Sequence, residues 1–181
     1  MALRRTHVAL SEAIALGYIN IEHQSLLVSS LEIIGVWIGS QLPDIDQKQT
    51  RINKKVGIVA KPMTWWGHRT WSHTVWFLGI LLLLTYYLSN NNYTNGNFIF
   101  SQLNLAFFYY GILAGSFLHI LEDSFSFGGV RWFYPLDKSI NVRKKGLFRY
   151  KVGGTKENVI LFLSILGIVF NLILYVINFK Y

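Results

Sequence analysis

The chain of 181 residues is 52% hydrophobic, 16% aromatic and only 14% charged, with a formal net charge of +8 and a mean hydropathy of +0.34. A water-facing domain carries roughly 25% charged residues, so an ordinary soluble surface is excluded, and the wealth of aromatic and branched side chains excludes intrinsic disorder. With no cysteine, a disulfide scaffold and a thiolate zinc site are excluded as well, and the length fits a single domain over residues 1–181.

In chain order, the first apolar segment is Thr6–Ile19, which carries Glu12 and is too short to cross a membrane comfortably. Arg4 and Arg5 could open a signal peptide, but Glu12 interrupts the apolar stretch and no small-residue cleavage site follows, so the segment is expected to be retained. Leu26–Leu42 is apolar except for Glu32 in its middle, which fits a span with one inward-facing acid or a re-entrant helix. Thr74–Leu88 spans if Trp71 and the pair Tyr86 and Tyr87 act as interfacial anchors. Leu103–Leu121 is long enough to span and carries His119 near its end. Val159–Ile177 has no charged residue; at 1.5 Å per residue it covers about 28 Å, close to the hydrocarbon thickness. The stretch Asn90–Gly96 reads as a polar hairpin between two spans. The expected fold is therefore all-α, an integral membrane bundle with three to five embedded helices.

Loop charge gives an orientation. Lys48, Arg51, Lys54, Lys55, Lys61 and Arg69 lie between the second and third segments. Arg131, Lys138, Arg143, Lys144, Lys145, Arg149, Lys151 and Lys156 lie between the fourth and fifth, whereas Ser89–Gln102 holds no lysine or arginine. The positive-inside rule places both basic loops in the cytoplasm, predicting a multi-pass protein of the inner membrane. Those loops also suit anionic lipid headgroups. No interleaving of aromatic and basic residues supports nucleic-acid binding.

The same topology brings the scarce acids and histidines to one face. His7 opens the first segment, Asp44 and Asp46 close the second, and His68 and His73 enter the third. His119, Glu122 and Asp123 leave the fourth, and Glu157 precedes the fifth. His119 and Asp123, four residues apart, share one helical face, and the turn Leu42–Asp46 can aim two carboxylates into a site. Imidazoles and carboxylates without cysteine suit zinc, with manganese or iron as alternatives, and one or two ions. Singly, each residue has an ordinary explanation as a helix cap, a dipole partner or a hydrogen-bonded pair. Their joint gathering in a chain so poor in both types favours a site.

The ordered motifs, TH near the start, LPDID, HRTWSHT, GSFLHILEDSFSFGGVRWFYPL and GGTKE, resemble the YdjM-type family of membrane-bound metal-dependent hydrolases, some of them LexA-regulated. The family pattern runs approximately PDxD, HRxxTHS and then HLxxDxxT followed by glycine. Ser72 and Ser126 stand where the family has threonine, and both keep a hydroxyl. The resemblance implies that His7, Asp44, Asp46, His68, His73, His119, Asp123 and Glu157 are metal ligands or catalytic groups. A weaker likeness to zinc-dependent phospholipase C and single-strand nucleases implies phosphoester hydrolysis, with a lipid headgroup or lipid-linked phosphate as substrate. One of Asp44, Asp46 or Asp123 would then be the general base.

Arg69 and Arg131 are candidate phosphate contacts under that reading, although both also serve as ordinary positive-inside charge. The run Trp132, Phe133 and Tyr134 fits an interfacial anchor better than a lid. The rival expectation is a non-enzymatic scaffold or transporter with a structural metal or polar cluster, and a further one is a membrane-attached nuclease.

Overall fold

The computed structural model describes residues 4–47, 51–57, 70–91, 102–136 and 149–179. The expected hairpin Asn90–Gly96 falls almost wholly outside these residues, as do His68, Arg69 and the basic residues Lys48, Lys61, Lys138, Arg143, Lys144 and Lys145. Within the described residues the chain is helical and forms no named strand. The helices are α1 (Arg4–Glu22), α2 (Leu26–Gly39), α3 (Arg51–Val56), α4 (Val75–Asn91), α5 (Gln102–Phe125) and α6 (Thr155–Phe179), with short 3-10 turns at Leu42–Asp46 and Trp71–His73. Each apolar segment read from the sequence becomes a helix.

Among the described residues, three stretches are long and apolar enough to cross a membrane: Leu26–Asp46, Leu105–Phe125 and Thr155–Asn178; Val75–Asn90 is a shorter apolar helix. Along α6, large side chains such as Phe162, Leu163, Val169 and Phe170 project outward. A contiguous apolar face of that extent belongs in hydrocarbon rather than water.

The helices pair in two parallel sets. In the first, α1 and α6 run side by side in one register, fixed by three contacts. Thr6 Oγ1 donates to Glu157 Oε1 at 3.2 Å. Asn20 Nδ2 donates to the carbonyl and side-chain oxygens of Asn171 at 2.9 and 3.0 Å. Tyr175 donates from its hydroxyl to the Gln24 carbonyl at 3.3 Å. Away from water such side-chain bonds are a main means of specifying which helices pair.

The second set, α2 with α5, is joined by close backbone approach. Gly35 and Gly39 on α2 face Gly111 and Gly115 on α5. A Cβ at Gly39 would stand 2.1 Å from the Ile112 carbonyl oxygen, and one at Gly111 2.4 Å from that of Glu32. Only glycine permits this spacing, and each helix carries the small-xxx-small pattern that allows it. Helix α4 runs antiparallel to α5, with Thr85 Oγ1 donating to the Tyr109 carbonyl at 3.5 Å.

This arrangement collects the starts of α1, α4 and α6 and the ends of α2 and α5 at one end of the bundle. Several contacts tie that end together. Arg4 Nε donates to Gln41 Oε1 at 2.6 Å, Asn53 Nδ2 on α3 donates to the Ile45 carbonyl at 2.6 Å, and Val75 N donates to the Trp132 carbonyl at 2.9 Å. Because α2 and α5 are already in backbone contact, a single methyl group at Gly39 must push them apart. Gly39→Ala is expected to lower stability by about 1–3 kcal/mol, the usual cost of overpacking. Thermal unfolding in detergent checks this; an unchanged unfolding temperature would show that the crossing is looser than the structure has it.

Candidate metal centre

The cluster is built on α5. Its last turns present His119 and Asp123 four residues apart, so both point the same way, and both are fully buried. Ser116, one turn earlier, donates its hydroxyl to the Gly39 carbonyl at 3.1 Å, which locks the end of α2 beside them. The α2 chain then leaves through Ser40, whose carbonyl accepts a hydrogen bond from His119 Nδ1 at 2.7 Å. Proline at position 43 opens the 3-10 turn Leu42–Asp46, a turn tight enough to aim Asp44 and Asp46 into the same interior.

Three imidazoles arrive from three different elements. His7 comes from the first turn of α1 and stacks on His119 with ring centroids 3.9 Å apart. His73 closes the turn before α4 and meets His119 edge-on at 5.4 Å. All three orient alike. Each Nδ1 faces an oxygen: His119 Nδ1 is hydrogen-bonded to the Ser40 carbonyl, His73 Nδ1 to the Ser72 hydroxyl at 2.9 Å, and His7 Nδ1 lies 2.7 Å from Glu122 Oε2 as a close ion pair. Ser72 in turn donates to Asp46 Oδ2 at 2.6 Å. Each Nε2 faces inward. An imidazole fixed through one nitrogen so that the other is presented is the arrangement that metal-binding histidines adopt.

The inward separations fit an ion better than hydrogen bonds. His7 Nε2 lies 3.4 Å from Asp123 Oδ1, His73 Nε2 3.5 Å from Asp123 Oδ2, and His119 Nε2 3.5 Å from Asp44 Oδ1. Hydrogen bonds between nitrogen and oxygen close to about 2.7–3.2 Å. Around a tetrahedral ion with bonds of about 2.1 Å, neighbouring donor atoms stand about 3.4 Å apart. His119 Nε2 is also buried without a hydrogen bond, which is costly unless something else satisfies it.

Among the described residues, two triads could each hold an ion: His7, His119 and Asp123; and Asp44, His73 and His119. They share His119, which has only Nε2 to give, so that residue serves one ion at a time. Asp123 is the hub, with one oxygen toward His7 and the other toward His73 and His119.

The remaining candidates take other places. Asp46 lies outside both triads and backs His73, directly at 3.6 Å and through Ser72. Glu157 sits within the first turn of α6 rather than ahead of it. Fully buried, it receives Thr6 Oγ1 and the backbone N–H of Gly153, a residue at positive φ. It thereby anchors the residue next to His7. Arg131 is half-buried in the loop after α5. In the aromatic run, Phe133 is exposed and Tyr134 packs edge-on against Trp71 at 6.4 Å. His23 caps the far end of α1, away from the site.

Some supporting groups are not assigned a role by sequence reasoning. Glu122 was visible as the acid beside Asp123 in HILED. Tyr150, almost fully buried, donates its hydroxyl to the Glu122 carbonyl at 3.3 Å and pairs its backbone with Phe125 and Phe127; no local pattern marks it.

Fold and site together define a membrane-embedded helical bundle with a buried histidine–aspartate cluster able to hold a metal ion. The chain matches the family of YdjM inner membrane proteins over residues 1–179 and belongs to that family. It is also similar to YvsG of Bacillus subtilis (strain 168), an uncharacterized protein, with 25% identity over 126 residues that cover 68% of this chain and 67% of the relative. No solved structure gives a significant match.

The cluster's electrostatics set the pH dependence of metal uptake. Burial alone would lower the pKa of His73, but the carboxylates of Asp123 and Asp46 outweigh it and raise the value above that of a free imidazole. The metal-free site therefore retains a proton that an incoming ion must displace. Metal affinity is expected to go on rising with pH above about 6.5, the value of a free imidazole, as read by titration with zinc. A flat profile would mean that no histidine loses a proton on metal binding. His119→Ala combined with Asp123→Ala removes both triads and should abolish stoichiometric metal in elemental analysis of the purified protein.

Proposed function

We propose that this cluster is the active site of a metal-dependent hydrolase that cleaves a phosphoester, in a lipid headgroup or lipid-linked phosphate, at the cytoplasmic face of the membrane. The observation that carries this reading is the convergence of His7, His73 and His119 on Asp123, each imidazole with an oxygen at Nδ1 and with Nε2 turned inward. The basic residues of the loops at that end of the bundle support the cytoplasmic orientation. They also match an anionic substrate.

His7, His119 and Asp123 would hold the ion, zinc first and manganese or iron as alternatives, with His73 and Asp44 beside it. A divalent ion there would supply Lewis acidity toward a phosphoryl oxygen and would make water a better nucleophile. The residues divide the remaining work. Asp46 holds Ser72 and His73 in place, and Asp123 is enclosed by imidazoles. Asp44 is left to take the proton as water adds to phosphorus. The ester oxygen leaves as the P–O bond breaks and collects that proton, so the carboxylate is regenerated. Arg69 and Arg131 are candidates to receive phosphate oxygens.

A second reading is favoured by one specific observation: His7, His73, His119 and Asp123 are all 0% exposed. Closed sites are commonly structural, whereas catalytic ions keep an open position. On that reading the cluster clasps α1, α4 and α5, and the protein is a scaffold or transporter. A membrane-attached nuclease is a third, and requires salt-sensitive binding of DNA or RNA.

Turnover and stability measured on the same variants separate the readings. Wild-type protein should hydrolyse bis-p-nitrophenyl phosphate or phospholipid in vesicles. Asp44→Asn should lose about 100- to 10,000-fold of that rate while keeping its metal, because His7, His119 and Asp123 are untouched. If wild-type protein with full metal turns over no phosphoester, while His119→Ala lowers the unfolding temperature, the structural reading replaces the catalytic one.

A further inference from the structure

A slot of about 880 Å³ opens between α1, α2, α4 and α5. On α5 it runs from Phe107 to Leu118, about 16 Å at 1.5 Å per residue, or half of a hydrocarbon core of about 30 Å. It thus has the depth of one leaflet. Its upper end lies at the level of the metal cluster, since Leu118 adjoins His119 and Val75 follows His73 by two residues. Among the described residues, Glu32 is the single charged side chain on its wall. That residue sits about 12 Å below Ser40 along α2.

The slot is continuous with the lipid-facing surface of the bundle. Ile14, Tyr18, Leu82, Tyr110 and Phe117 line it and are also among the outward-facing large apolar side chains. Its occupant therefore enters sideways from the bilayer. At one point the wall is thinned to a glycine, Gly79, where an added Cβ would meet nothing within 4 Å. A pocket of this size with apolar walls is what a hydrocarbon ligand needs, and the histidine–aspartate cluster at its upper end, rich in carboxylates, would receive an anionic head once a divalent ion is held there.

We propose that the slot holds one hydrocarbon chain of a membrane lipid whose phosphate head lies at the histidine–aspartate cluster. The chain assignment stands on the slot alone; the placement of the head rests on the hydrolase reading. Together they make the substrate class a lipid phosphoester drawn from the leaflet on the cluster's side.

The test uses the full-length protein in phosphatidylcholine vesicles and a dodecyl phosphate bearing a diazirine at the end of its chain. After photolysis, peptides from the slot walls on α4 and α5 should be labelled above those of α6, which faces lipid over most of its length. Excess dodecyl phosphate should remove the slot label, and butyl phosphate should not. Gly79→Phe fills the slot from an open position and should lose the label while retaining metal. Val169→Phe, on the outer face of α6, should keep it. Label spread equally over α6 and the slot, or label that persists in metal-loaded Gly79→Phe, overturns the proposal. Slot labelling in a wild-type protein that hydrolyses no phosphoester removes the hydrolase reading and leaves the chain site standing.

Discussion

The contact between α2 and α5 is the constraint on which the rest of the molecule depends. Gly35, Gly39, Gly111 and Gly115 let two backbones meet with no side chain between them. Within a bilayer this matters more than it would in water, because lipid is as apolar as a helix surface and offers no hydrophobic drive to association. The close approach fixes the height of Ser40 against His119, and their hydrogen bond follows from it. It also fixes where the chain turns at Pro43, and hence where Asp44 and Asp46 point.

The cluster then joins helices that have few other reasons to share one end. Asp123 contacts imidazoles from α1, from α5 itself and from the turn before α4. Glu157 brings α6 to α1 through Thr6. Burying four ionisable side chains completely is expensive unless their charges are compensated. The inward nitrogens and oxygens stand too far apart to compensate one another by hydrogen bonding alone, which is the strongest reason to expect an ion among them. The same interior placement links the site to the slot beside it, since α5 supplies the ligands on one face and a slot wall on another.

Much of this was legible in the sequence. The apolar runs gave the helices because a segment within lipid must satisfy every backbone group internally, which a helix does. The i, i+4 spacing of His119 and Asp123 gave a common face, and the turn LPDID was recognisable from its proline. The boundaries were less so: α5 continues to Phe125, past the apolar limit at Leu121, and α6 begins at Thr155 with Glu157 already inside it. Both extensions are polar turns at the end of a span, where hydropathy fades before the helix does. The two glycine pairs were present as small-xxx-small patterns, but which helix each would meet is a property of the pairing and not of either segment.

The sequence by itself determined an all-helical membrane chain, the family it belongs to, and a short list of histidines and acids gathered toward one end. Local spacing and transfer from water to lipid act along the chain, and so they can be read along it. Tertiary structure alone decided the division of labour within that list. It turned Asp46 toward Ser72 and His73, set Asp123 between three imidazoles, and gave His7 a partner in Glu122 that lies 2.7 Å away across 115 residues of chain. Those roles depend on the register in which helices pack, and that register is fixed by contacts between distant segments, which no local pattern records.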